Sequence, residues 1–244
     1  MSESIFASLK PDFKGDLDFS SATLAVYSHD ASLFEIKPKL VVFPREVADV
    51  KYLVAWVNQH RVEDPTLSLT ARSAGTDMSG GAINASIIVD FTRYLNKIKN
   101  VSSTLATVEP GCFYRDFEKA TLAQGAIMPT YPASRELCAV GGMVSNNSGG
   151  EKSLKYGKTE NHLESLKVVF SDANEYLVKP LTGEELTLKI AQSDFEGEVY
   201  RSLKKLLDEH YDEIMTAKPA VSKNSSGYYL WNIYNKETGI FDLC

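Results

Sequence analysis

Short apolar runs alternate with stretches of helical periodicity along this chain. Leu40-Val41-Val42-Phe43 is a compact apolar run halted by Pro44, the pattern of a buried strand. From Glu46 to His60, apolar Val47, Val50, Leu53, Val54 and Val57 recur at helical spacing, with acidic Glu46 and Asp49 in the first turn, where they complement the helix dipole. Leu67-Ser68-Leu69-Thr70 alternates as a strand does. Residues 87–91 and 105–109 predict two more strands, the second ended by Pro110-Gly111. Phe113 to Gln124 predicts a helix with Phe113, Phe117, Ala120 and Leu122 inward and Gly125 past its end. Residues 166–170 and 175–178 flank the turn Ser171-Asp172-Ala173-Asn174, a hairpin signal. Val199 to Met215 predicts one helix, with Leu203, Leu206, Leu207 and Ile214 apolar. Residues 1–38 predict irregular structure with one short helix. The mixture predicts an α+β fold. A boundary is expected near Pro65, dividing the chain into an N-terminal segment (1–35), a small α/β part (36–65) and a larger lobe (66–244).

Composition narrows the class. The 244 residues are 43% hydrophobic and 24% charged, ordinary values for a folded chain, and suffice for one or two domains with a sizeable core. A net charge of −6 argues against non-specific nucleic-acid binding. Cys112, Cys138 and Cys244 are odd in number and far apart, fitting neither a disulfide framework nor a zinc site, so a reducing, cytoplasmic setting is expected. No run approaches the roughly 20 apolar residues of a membrane helix, and the first residues lack a secretory signal pattern. Peripheral attachment at the inner face of a membrane stays open. His29, His60, His162 and His210 show no metal-ligand spacing, and Glu184-Glu185 reads as solvated charge.

Two stretches carry the chemistry. Residues 71–81, Ala-Arg-Ser-Ala-Gly-Thr-Asp-Met-Ser-Gly-Gly, and residues 140–150, Val-Gly-Gly-Met-Val-Ser-Asn-Asn-Ser-Gly-Gly, are rich in small residues. Such loops let the backbone approach a ligand, and their successive N–H groups form concave anion sites. Either alone is an ordinary surface turn; two on one chain predict a large ligand with a diphosphate at its middle. Neither fits the dinucleotide fingerprint, the phosphate-binding P-loop or the hydrolase nucleophile elbow, so Ser79 and Ser145 are not assigned as nucleophiles. Lys152, Lys155 and Lys158 follow the second stretch and fit either a diphosphate or a plain basic surface.

Residues 72–81 resemble the R-G-G-G-T-S-x-S-G-G loop of the FAD-linked oxidases with the PCMH-type flavin fold. Other segments follow in the family's order: Pro38-x-x-Val41-Val42-x-Pro44-x-x-Val47-x-x-Val50, Val108-Glu109-Pro110-Gly111, Pro129-x-x-Pro132-x-Ser134, residues 141–150 beside G-G-x-x-A-x-N-A-G-G, and Lys155-Tyr156-Gly157. The likeness covers residues 36–235 and is strongest toward the D-lactate, glycolate and D-2-hydroxyglutarate dehydrogenases, whose K-x-x-x-G-Y-x-L segment resembles Lys223 to Leu230.

The resemblance implies a PCMH-type FAD-binding fold with two α/β subdomains. It also implies cofactor contacts from Arg72, Ser73, Ala74, Gly75, Thr76, Asp77, Ser79 and Gly80, from Pro132, and from Gly141, Gly142, Ser145, Asn146, Asn147 and Gly149. Ser73 and Ala74 replace family glycines. Thr76 and Asp77 stand where covalently flavinylated branches carry a histidine, so non-covalent FAD is expected. The implied reaction is oxidation of a 2-hydroxy acid to a 2-oxo acid, with electrons passing to an unidentified quinone, flavoprotein or cytochrome. The family's next flavin segment, its substrate domain and its metal-binding histidines would lie beyond Cys244, so no catalytic residue is assigned and any divalent metal is expected only there. The chain is accordingly expected to be the N-terminal part of a longer protein, binding FAD weakly or not at all by itself and turning nothing over. Other readings are an alditol or sugar-lactone oxidase, a UDP-N-acetylmuramate reductase-like enzyme, and a flavin- or nucleotide-binding module without its own catalysis.

Overall fold

Alternation inside β2, Leu40–Phe43, explains why all four of its residues are buried. Leu40 and Val42 point to one face of a four-stranded sheet, and Val41 and Phe43 to the other. The computed structural model describes residues 2–221, 224 and 227–244. It divides them into two compact units, Met1–His162 and Leu163–Cys244. The tail motif's Lys223, Ser225 and Ser226 lie outside the described residues.

In the first unit, α1 (Ser2–Ala7) precedes β1 (Asp16–Asp18) and α2 (Ser21–Val26). The expectation of irregular structure with one helix before residue 38 is therefore corrected. β1 is too short and too polar to show an alternating signal, yet it pairs antiparallel with β2, Leu17 opposite Val42. The sheet order is β1-β2-β4-β3, with β3 at Leu69–Arg72 and β4 at Ile87–Asp90, both parallel to their neighbours. The strand expected at 67–70 thus runs on to Arg72. The expected boundary near Pro65 falls inside this unit, where β3 joins the sheet of β2.

Helix α3, Val47–His60, covers one face through Leu53, Trp56 and Val57, packed with Leu40, Val42, Ile87 and Val89. Val47, the first apolar residue of this periodic run, is exposed. Trp56 stacks on His60 with ring centroids 4.4 Å apart and donates from Nε1 to the Ser8 hydroxyl. Asp49 is buried within this helix. Its Oδ1 accepts from Lys14 N at 2.9 Å and its Oδ2 from Arg45 N at 2.8 Å, fastening the chain on either side of β1 and β2.

A hairpin of β5 (Ile98–Val101) and β6 (Ala106–Val108) follows, then α4, Tyr114–Leu122. Its inward face is Tyr114, Phe117, Glu118 and Thr121; Leu122, expected inward, is exposed. Tyr114 displaces it because the ring fills a second core with Cys112, Tyr131, Cys138 and Met143, while its hydroxyl donates to Met128 O.

In the second unit, β7 (Leu166–Val169) and β8 (Glu175–Val178) form the expected hairpin. Naming the first unit's short helices α5 (Val140–Ser145) and α6 (Ser153–Tyr156), the second carries α7 (Gly183–Ile190), α8 (Phe195–Glu209) and α9 (Tyr211–Ala217) around Leu181, Leu186, Tyr200, Leu207 and Phe241. The single helix expected over 199–215 is two helices, broken at His210, whose φ of −119° leaves the helical region. Glu185 is not idle surface charge. It closes a capping box with Thr182 and pairs with Lys179 at 2.8 Å. Among the described residues no helix is long and apolar enough to cross a membrane.

Asp49→Asn leaves one amide oxygen for two donors and should cost about 1–3 kcal/mol, read as a lower urea midpoint. The Lys179 ion pair and the Thr182 N–H lower the Glu185 carboxyl from 4.5 to about 2. A depressed acid stabilises above its ordinary value and loses that contribution as pH falls through 4.5 toward about 2. The acid-induced loss of helicity should therefore shrink in Glu185→Gln, measured by circular dichroism.

Candidate cofactor site

Three close approaches of glycine backbone bring the two small-residue loops together. Gly111, just after β6, lies so near the end of β4 that a Cβ would fall 2.0 Å from Phe91 O, and its N–H donates to Leu95 O. Pro110 O in turn accepts from Gly141 N at 2.8 Å, and a Cβ on Gly141 would fall 2.7 Å from Pro110. The next residue completes the relay: a Cβ on Gly142 would sit 2.9 Å from Ser73 Oγ. The first loop, leaving the carboxyl end of β3, and the second, beginning in α5, are thus in direct contact. The second stretch was expected as loop throughout. Its first part is helical because Phe113 pairs with Ala139, while Tyr114 N and Val140 N donate across to Cys138 O and Cys112 O, which fixes the chain direction at its start.

In the first loop the side chains turn inward to hold the turn. Arg72 is buried; its Nη1 donates to His29 O at 2.7 Å and Ala82 O at 3.3 Å, and its guanidinium lies over the Tyr27 ring. Gly75, at φ +66°, packs against that guanidinium, where a Cβ would fall 2.4 Å from Nη2. Burial draws the Arg72 pKa below its ordinary value, against the pull of Tyr27, Asp90 and Asp30. The Asp77 carboxylate accepts from Ser79 N, Ser79 Oγ and Gly81 N, and Asp77 O accepts from Ala31 N. Phe34 closes over Gly80. Ser73, Ala74, Gly75, Thr76 and Asp77 are half-buried, and among the described residues none of their backbone N–H groups reaches an acceptor. Five successive backbone donors in one small-residue turn are thus left open.

The second loop is tied at its exit. Asn147, at φ +42°, exchanges hydrogen bonds with Glu160: its Nδ2 donates to the carboxylate at 2.9 Å and its Oδ1 accepts from Glu160 N at 3.0 Å. Ser148 O accepts from both Thr159 N and its hydroxyl. Gly149 and Gly150 end the loop against Ser153 and the Pro132 turn, with Gly150 N donating to Ser153 Oγ. Ser145 and Asn146 are exposed. Of the three lysines, Lys158 is buried against Gly149, whereas Lys152 and Lys155 lie over the rings of Tyr131 and Tyr156.

Ser73, Ala74, Gly75, Thr76, Gly141 and Gly142 are therefore gathered in one place. The side chains of Arg72, Asp77 and Asn147 serve the loops' own geometry, and Ser79 and Gly80 lie in the turn that Asp77 holds. The His29 and Ala82 carbonyls and the Tyr27 ring, which seat Arg72, were missed in the sequence. They sit in segments without periodicity, and a carbonyl carries no residue-type signal. Among the described residues no group of three or more His, Cys, Asp or Glu side chains is placed to hold a metal. Cys112 is an inert core thiol, pushed up to about 11 by burial.

Known proteins match this arrangement. A family model described as an FAD binding domain matches residues 38–176, more than half of the chain. The chain is 29% identical over 234 residues to D-2-hydroxyglutarate dehydrogenase of Escherichia coli, covering 95% of this chain and 23% of that protein. It is 29% identical over 182 residues to the glycolate oxidase subunit GlcD of Bacillus subtilis, 70% of this chain and 37% of that one. The chain thus spans less than a quarter of the first relative and little more than a third of the second. An alkyldihydroxyacetonephosphate synthase structure superposes with a TM-score of 0.63 at 22% identity, covering 73% of this chain and 35% of that one. 6-Hydroxy-D-nicotine oxidase of Arthrobacter nicotinovorans gives 0.57 at 19%, covering 68% and 36%. These likenesses show the fold, the α+β architecture of the FAD-linked oxidases. With two loops in contact and the family's model spanning both, the chain belongs to the PCMH-type FAD-binding domain family.

Proposed function

We propose that this chain is the FAD-binding portion of a flavin-dependent oxidoreductase that oxidises a D-2-hydroxy acid of the lactate, glycolate or 2-hydroxyglutarate type to the 2-oxo acid. The observation that carries the reading is the contact of Gly142 with Ser73, which makes one site of two stretches nearly 70 residues apart in sequence. The relatives at 29% identity favour this substrate class. Bound FAD supplies a two-electron acceptor for the substrate's hydride.

The chain's own residues do the holding. Backbone N–H groups of residues 73–77 would donate to diphosphate oxygens, a use of main-chain dipoles. Gly142 and Gly141 keep the second loop flush against the first, so that nothing bulky intrudes on the cofactor. Thr76 and Asp77 stand where covalently flavinylated branches carry the linking histidine, which supports non-covalent binding. The substrate is a small molecule, and reducing equivalents leave to a quinone, a flavoprotein or a cytochrome.

Gly142→Ala should cost about 1 kcal/mol through the Ser73 contact, and in a Ser73→Gly background the same change should be neutral or stabilising, as its helical position favours alanine. Additivity of the two changes in urea denaturation would separate the loops and remove the basis of the proposal. The full-length protein should be yellow, release FAD on denaturation, and reduce an artificial electron acceptor with D-2-hydroxy acids. Flavin release without reduction by any hydroxy acid would leave a flavin-binding module and overturn the dehydrogenase reading.

A further inference from the structure

Beneath the open amides lies a cation without a partner of opposite charge. Among the described residues no carboxylate comes within ion-pair distance of Arg72, although its side chain is buried. Among the described residues only Nη1 donates; the Nε and Nη2 atoms find no acceptor there and face Gly75, whose missing Cβ would have these guanidinium atoms as its nearest neighbours. Two acids stand farther off. Asp90 takes the Tyr27 hydroxyl at 2.9 Å and the Thr92 N–H at 2.7 Å, and Asp30 takes Ser32 N at 2.8 Å and faces the Ala82 N–H. A third, Asp77, has its carboxylate engaged within the loop. Without Arg72 the ground under the loop would be negative and would repel an anion.

We propose that Arg72 is a positioning residue for an anionic ligand: packed under Gly75, its guanidinium offsets Asp30 and Asp90 and sets a positive field for the N–H groups of residues 73–77, without touching the ligand itself. This deepens the diphosphate reading and rests on it only for the choice of anion. A unit charge several ångströms away, at the effective dielectric of a protein site, changes anion affinity roughly tenfold or more. The side chain therefore acts through its charge, and its hydrogen bonds to His29 O and Ala82 O fix where that charge sits.

The test uses the full-length protein with inorganic pyrophosphate, and with FAD in parallel, and reads both calorimetric affinity and the rise in thermal midpoint. Saturating pyrophosphate should raise the wild-type midpoint by about 2–4 °C. Arg72→Gln should lose roughly tenfold or more in pyrophosphate affinity, Arg72→Lys should retain most of it, and Asp30→Asn added to Arg72→Gln should recover part of the loss. Asp30→Asn alone should bind pyrophosphate more tightly than wild type, an arm that stands even where Arg72→Gln does not fold. A purely structural Arg72 leaves the pyrophosphate affinity of folded Arg72→Gln at the wild-type value, and no gain from Asp30→Asn removes the negative field that Arg72 is to offset; either result overturns the proposal. FAD bound equally by wild type and Arg72→Gln also overturns it while leaving the flavin reading intact. Pyrophosphate binding with this charge dependence and no FAD binding upholds it and overturns the flavin reading instead.

Discussion

Two backbones cannot touch while a Cβ stands between them, and this constraint governs the arrangement of the first unit. At Gly111 and Gly141 the main chain meets Phe91 and Pro110 at distances that no side chain would permit, and at Gly142 it lies against the Ser73 hydroxyl. Each contact fixes the next. The end of β4 sets Pro110, Pro110 sets the start of α5, and α5 sets the second loop against the first. A loop pair joined in this way inherits much of the sheet's rigidity, because the first two links are main-chain contacts and only the last, at Ser73, is a side chain. Of these links, Gly111 has the least room to adjust, since a backbone carbonyl cannot swing aside as the Ser73 hydroxyl can.

The same economy appears in the use of polar side chains. Asp77 folds its carboxylate onto Ser79 and Gly81, and Asn147 pairs with Glu160. These residues look like ligands because they are polar and sit in loops, yet their hydrogen bonds are spent on shaping the turns. What remains open is the main chain of residues 73–77. On the proposed reading, Ser73 and Ala74 can stand where the family's loop carries glycine, because the proposed donors are N–H groups, which every residue here supplies.

How much was legible follows from the range of the signal. Strands β2 and β4 and helix α3 have strong apolar patterns and lie where the residues place them. Leu122 was misjudged because apolar spacing does not reveal that Tyr114 and Glu118 fill the inward face of α4. Helices α8 and α9 merge in sequence because His210 disturbs the backbone without breaking the apolar period. Strand β1 was invisible, since three partly exposed residues owe their conformation to pairing with β2. For the site, small-residue composition exposed both loops, but their contact depends on Pro110 and Gly111, between them in sequence. Arg72 was recognisable as part of the motif, while its place beneath the loop depends on the carbonyls of His29 and Ala82, which no sequence pattern marks.

The stacking of Trp56 on His60 has an optical consequence. The chain has two tryptophans, Trp56 in the first unit and Trp231 in the second. Each unit thus carries its own intrinsic fluorophore. Trp56 lies in the core that supports the sheet from which the first loop departs, so its emission reports on that unit alone once the other indole is replaced.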